Sequence, residues 1–393
     1  MTTPSSVRPV TTVVIGGTIA IDHVKTPDAE AANLLGGSAA YAALAASFFC
    51  RPVELIGIIG RDFPQEHLDM LENHGIALGG VERSDNESFT WSGEYHANMN
   101  ERTTHRVGLN VLENWQVKVP AAAAASTIVV LANMSPDNQM EMLGQCGIVI
   151  GSGIEDCGSK IADGGASGTD SSPLQSKIQN PKSKISSSAA PRFVIADTMD
   201  LWIGIANERL HDVLPHLDLL VLNEGEAREL AGTSNLVKAG GLLLAKGPRH
   251  VVIKLGEFGA ILFSAPISDP PSSIPQDGGS STADSSPLQS KIQNSKSKIA
   301  SASEPIIFRC SAWPLDAVAD PTGAGDTFLG AMAGCLAAQG PPPYAADALR
   351  QAIIQGSILA SFTCEDFSTR RLEALLPAHL TQRVEDFRQA TAW

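Results

Sequence analysis

Val13–Ile15, Val53–Ile59, Thr127–Leu131, Phe193–Ala196, Leu219–Leu222 and Val251–Lys254 are short, nearly continuous apolar runs, most of them rich in Val and Ile. A strand with one face in water alternates apolar and polar residues, whereas a continuous run fits a strand buried on both faces. Helix-forming stretches separate the runs: Ala-rich Ser38–Ser47, amphipathic Gln65–Glu72, and Glu224–Leu230 directly after a run. That order predicts an α/β fold, a doubly wound, mostly parallel sheet, with ligands at the carboxyl ends of the strands. From Gly325 onward the chain reads as helical. With 393 residues, 43% of them hydrophobic, it can bury a full core.

Two stretches break the rhythm. Residues 76–111, "IALGGVERSDNESFTWSGEYHANMNERTTHRVGLNV", alternate polar residues with Thr, Trp, Tyr and Val. They predict a small antiparallel excursion, either a β-lid over a strand-end site or a structural hairpin. "SPLQSKIQNPKSKI" at Ser172–Ile185 recurs as "SPLQSKIQNSKSKI" at Ser286–Ile299, with similarity spanning 163–191 and 277–305. The flanks do not match, and Ser, Lys, Gln and Gly cannot build a core, so these read as two insertions into surface loops rather than a repeat fold.

Net charge is −14, from 28 basic and 42 acidic residues, with no Lys/Arg block, which argues against a nucleic-acid or anionic-membrane partner. Six cysteines lack CxxC spacing, so neither a zinc site nor a disulfide framework is expected, and a reducing cytoplasm is the expected location. No apolar stretch is long and uniform enough to span a bilayer.

The chemistry concentrates in "DPTGAGDTFLGAMAGCLAAQG". Pro321 stops preceding structure, Gly323 and Gly325 permit close backbone approach, and an Ala- and Leu-rich helix follows. Free amides at a helix start, aided by its dipole, hold an anion. Asp326 in that first turn is either a simple dipole partner or a base taking a proton from whatever attacks the anion. The second reading fits phosphoryl transfer to an alcohol, with the amides neutralising the charge on the transferred group. Neither GxxxxGK[ST] nor the HRD/DFG set occurs, so a nucleotide would be held by another scheme.

"DPTGAGDTF" resembles the C-terminal signature of the ribokinase-like (PfkB) carbohydrate and nucleoside kinases. The resemblance implies Asp326 as catalytic base and Gly323, Ala324 and Gly325 as anion hole. Further motifs follow in family order over nearly the whole chain outside the inserts. This implies a single ribokinase-like domain over 1–393. "GGTIAIDHV" resembles the first strand and its substrate-binding aspartate, Asp22, able to accept from two sugar hydroxyls. "LGGSAAYAALAAS" resembles the N-terminal Gly-Gly signature, implying substrate contacts at Gly36, Gly37, Ser38 and Tyr41. "ELIGIIGRDFPQEHL" resembles the next strand and its Gly-x-Asp turn, Gly60 and Asp62. "LNEGEARELAG" implies that Asn223 and Glu226 organise magnesium-bound ATP phosphates through water, though as residues alone they read as a capping pattern. "IKLGEFGAILF" resembles the glycine turn against the nucleotide, Lys254, Gly256 and Gly259. Thr322 matches a nucleotide-side position, and Asp320 either borders a potassium-type monovalent cation or fixes the loop.

The implied reaction is ATP- and Mg2+-dependent phosphorylation of a sugar, with dimerisation through lids. Many ribokinases carry Asn, Lys and Asn where this chain has Ala20, Ser38 and Tyr41, which argues against ribose. Tyr41 offers either a stacking face or a core contact. Asp197 ends another strand near the substrate or a phosphate-bound cation, and Asp200 reads as a helix cap. A nucleoside kinase shares every motif; a non-catalytic binding relative would have lost the base or anion hole, and both are intact.

Overall fold

The structure, a computed structural model, describes residues 11–148, 192–265 and 305–391. Its strands are β1 Val13–Gly16, β2 Ala20–Lys25, β3 Glu30–Gly36, β4 Val53–Ile59, β5 Ile76–Arg83, β6 Phe89–Tyr95, β7 Arg102–Gly108, β8 Ile128–Leu131, β9 Phe193–Asp197, β10 Leu219–Asn223, β11 His250–Lys254, β12 Ala260–Ser264 and β13 Ile306–Cys310. Nine form one sheet in the order β13, β12, β11, β10, β9, β8, β1, β4, β5. All neighbours are parallel except at the β12 and β13 edge.

The continuous apolar runs follow from helices on both faces of this sheet. Val13, Ile15, Ile128, Val130, Leu219 and Val221 point into one core with helices Ser38–Ala46, Ala324–Gln339 and Ala346–Thr363. Their immediate neighbours Val14, Val129, Leu131, Leu220 and Leu222 point into the other, with helices Pro136–Gln145, Asn207–Val213, Glu224–Ala231 and Leu236–Leu244. Period-two alternation thus splits each run between two apolar layers, leaving no polar face. Helix Ser38–Ala46 is buried on every side. Its small side chains let Ala324–Gln339 come close enough that a Cβ on Gly330 would collide with the Ala42 carbonyl.

The lid differs from the expected 76–111. Residues 76–83 are β5, which pairs parallel with β4 at the edge of the main sheet. The small sheet is instead β3, β2, β6, β7, so half of it comes from 20–36. Pairs β2–β3 and β6–β7 are antiparallel, joined by a parallel β2–β6 seam. Asp22 therefore lies on the lid sheet, not on the first core strand. Ser88 fixes the lid's base: its amide and hydroxyl donate to Asp62 Oδ1 at 2.7 and 2.8 Å, and Asn110 Nδ2 donates to its carbonyl at 2.8 Å. The Gly-x-Asp turn is thus an anchor for the lid.

Both insertions lie outside the described residues except for Pro305. Their described flanks are near the amino end of β9 and at the end where Ser264 pairs with Ile306 and His250. Asn223 and Lys254 mark the opposite end of the sheet.

Candidate active site

The signature turn is held from behind. Asp320, fully buried, accepts the Thr322 amide on Oδ1 at 2.8 Å and the Ser368 amide on Oδ2 at 3.2 Å, which is the loop-fixing alternative for this residue. Gly323 has φ +76°, and a Cβ there would strike the Tyr41 ring. Tyr41 is 2% exposed, so it backs the turn and offers no stacking face to an acceptor. The helix starts at Ala324, whose amide turns back onto the Pro321 carbonyl at 3.2 Å. Ala324 therefore does not join the anion hole expected of it. The first-turn amides of Gly325 and Asp326 have no carbonyl four residues earlier within reach and remain donors for an anion.

Three neighbouring strands end opposite this turn, in Asp197, Asn223 and Lys254. Lys254 Nζ lies 3.3 Å from Asp197 Oδ2 and 2.9 Å from where a Gly325 Cβ would stand, so the ammonium rests against the helix start. Asn223 and Glu226 form a capping box: the Asn223 amide donates to Glu226 Oε2 at 2.8 Å and the Glu226 amide to Asn223 Oδ1 at 2.9 Å. Gly256 and Gly259, with φ +56° and +92°, shape the next turn. Asp200 begins helix Asp200–Ile205 inside its first turn, with Met199 at the cap position.

On the acceptor side, Asp22 is 5% exposed and lies over Gly36, with Oδ1 unpartnered. Gly37 precedes helix Ser38–Ala46 with φ +89°. The Ser38 hydroxyl is taken up by Asn133 O at 3.2 Å and by Thr18 Oγ1 at 3.1 Å. The lid is down on the site: Thr322 Oγ1 meets the Tyr95 hydroxyl at 3.2 Å, and Asn100 Nδ2 reaches both Glu257 carboxylate oxygens at 3.4 Å.

The site is acidic and dry. Burial pushes the Asp22 carboxyl up to about 8, with repulsion from Asp320 and Asp326. Burial and then Asp197 lift Asp326 to about 7, opposed by Lys254 and Arg102. Glu226 rises to about 8 through burial and Asp197. Burial works against the Lys254 ammonium, yet Asp197, Glu226 and Asp326 hold its pKa above the ordinary lysine value. Three titratable roles thus stand close together: a carboxyl poised near neutrality, a fixed cation and a buried acceptor of hydroxyl protons.

No cluster of three His, Cys, Asp or Glu able to cage a metal exists among the described residues. Asn223, Glu226 and Asp197 instead fit a magnesium carried on phosphates and reached through water. Sequence reasoning missed Tyr95, Arg102 and Asn100, because residues in an alternating polar strand carry no signal of which face meets the site. It also missed the tie from Asp320 to Ser368, a contact between distant segments.

A model of the pfkB family of carbohydrate kinases matches residues 186–277, the segment between the two low-complexity inserts. No curated protein matches the chain. Among solved structures, a double mutant of a fructokinase from Vibrio cholerae O395, with fructose, ADP and potassium ion bound, superposes with TM-score 0.63 at 13% identity, covering 96% of this chain and 99% of that one. Ribokinase from Cryptococcus neoformans in complex with ADP gives 0.61 at 16%, covering 95% and 99%. A nucleoside kinase of Methanocaldococcus jannaschii, an archaeal member of the ribokinase family, gives 0.58 at 14%, covering 95% and 98%. The ribokinase fold is therefore the fold of this chain, and the family match places it with the pfkB family carbohydrate kinases.

Proposed function

We propose that the chain is an ATP-dependent sugar kinase. The observation that carries this reading is Asp326, held near neutrality in the first turn of a helix whose free amides and neighbouring Lys254 fit a phosphoryl group. Asp22, with its unpartnered Oδ1, takes hydrogen bonds from acceptor hydroxyls and holds one of them toward Asp326. Asp326 accepts that hydroxyl's proton as the acceptor oxygen forms a bond to the γ-phosphorus. The bond from phosphorus to the β-phosphate oxygen breaks, and its electron pair leaves with ADP. Gly325 and Asp326 amides and Lys254 stabilise charge on the transferred group. Magnesium on the phosphates supplies further neutralisation, with Asn223 and Glu226 addressing it through water. The lid, closed by Tyr95 and Asn100, keeps water from taking the phosphoryl group.

A nucleoside acceptor is the second reading. Trp91 pairs in register with Asp22 and shares its face of the lid sheet, which gives an aromatic surface beside the acceptor carboxylate. The test is ADP release across pentoses, hexoses, their monophosphates and nucleosides, with Asp326→Asn beside the wild type. Loss of the base is expected to lower kcat by about 10²–10⁴-fold with nucleotide affinity kept. Undiminished turnover by this variant would refute the mechanism.

A further inference from the structure

The lid sheet presents a row of side chains to the site. Asp22 pairs with Trp91 across the β2–β6 seam, and Tyr95 pairs with Arg102 across β6–β7. Residues paired in register project to the same face, and so do residues 91 and 95 along one strand. The row therefore runs Asp22, Trp91, Tyr95, Arg102, from the acceptor carboxylate to the lid's outer strand. Tyr95 is fixed to the signature turn through Thr322. Arg102 stands next to Tyr95, its guanidinium 5.8 Å from the centre of the Trp91 ring. Two residues before it, Asn100 meets Glu257 in the Gly256–Gly259 turn, which pins this end of the lid to the nucleotide side of the cleft.

Elsewhere on this sheet Lys25 and His105 both meet Glu94, and Arg106 pairs with Ser92, on the face away from Trp91. Among the described residues Arg102 has no carboxylate within ion-pair distance, although it faces a site full of them. Its charge reaches Asp326 and stabilises the ionised form there, while it has no comparable hold on Asp22.

Resting on the kinase reading above, we propose that Arg102 is a catalytic residue delivered by the lid, whose guanidinium binds the γ-phosphoryl oxygens of ATP during transfer. The planar donor fork matches phosphate oxygens, and no bond to Arg102 forms or breaks. Trp91 and Tyr95 are the positioning residues that aim it. The arrangement explains why an arginine on the site face of the lid is left without a carboxylate of its own. Its partner arrives with the substrate.

The test compares full-length wild type, Arg102→Gln and Arg102→Lys by calorimetric titration with Mg-ADP and with a non-hydrolysable Mg-ATP analogue, alongside steady-state kinetics. In wild type the analogue is expected to bind more tightly than ADP. In R102Q that preference is expected to shrink by about 10–100-fold, the range for a lost charge-assisted contact. ADP affinity and acceptor KM should stay unchanged, kcat should fall, and R102K should recover part of the preference. Arg102 is exposed, and unchanged ADP binding reports an intact fold. If R102Q keeps the wild-type preference, or loses acceptor affinity instead, the inference is overturned while the kinase reading stands. Wild type that binds neither nucleotide overturns the kinase reading itself.

Discussion

Asp326 shows how a single residue is set between opposing influences. Burial and Asp197 favour its neutral form, Lys254 and Arg102 its ionised form, and the balance leaves it near 7. As a base it works only when ionised. Lowering pH below 7 protonates it and is expected to cost kcat/KM about tenfold per pH unit, with a plateau above. A rate profile from acid to mildly alkaline pH checks this; a flat profile through 7 would remove Asp326 from the role. The identity of this residue was legible in the sequence because an anion-binding turn demands glycine at fixed places and leaves little else to explain a carboxylate beside it. Tyr41 was not legible. Whether its ring faces a ligand or the protein depends on the missing side chain at Gly323, and that dependence crosses nearly the whole length of the chain.

Elements were read best where burial alone dictates the pattern. A strand sandwiched between helix layers must be apolar throughout, so β4, β8, β10 and β11 stood out by composition. The lid was read worst. Strand β5 is half-buried at a sheet edge and alternates like a lid strand, while β3, Glu30–Gly36, contains no β-branched residue at all. What makes 20–36 part of the lid is its parallel pairing with β6, a long-range choice invisible in either segment. The placement of helix Ala324–Gln339 is a different matter, since it rests on small residues. A methyl at Gly330 meets the Ala42 carbonyl and must push two helices apart, tilting the turn that holds Asp326. Gly330→Ala is expected to destabilise the chain by about 1–3 kcal/mol and to lower kcat as well. Gly241→Ala, in a helix where the added carbon meets nothing within 4 Å, should instead stabilise it by up to about 1 kcal/mol. Denaturant unfolding of the two variants separates these outcomes.

At the scale of the molecule, the sheet has a chemical end and an opposite end. Asp197, Asn223 and Lys254 close the strands at the first, while the described flanks of both inserts lie at the second. Removing residues 163–191 and 277–305 together is therefore expected to leave kcat/KM and the unfolding midpoint largely unchanged, because Ser264 and Ile306 are already paired neighbours that a short turn can join. Loss of cooperative unfolding in the deletion would instead assign the inserts to the core.

This polarity also bears on the history of the chain. A copied stretch of sequence lands at random, but only landings that spare catalysis persist. Two near-identical passengers in one polypeptide, both departing from the end away from the reacting atoms, are what such filtering leaves behind. The same filter explains why the family match survives as an island between them: the inserts interrupt the alignment of the sequence without interrupting the sheet.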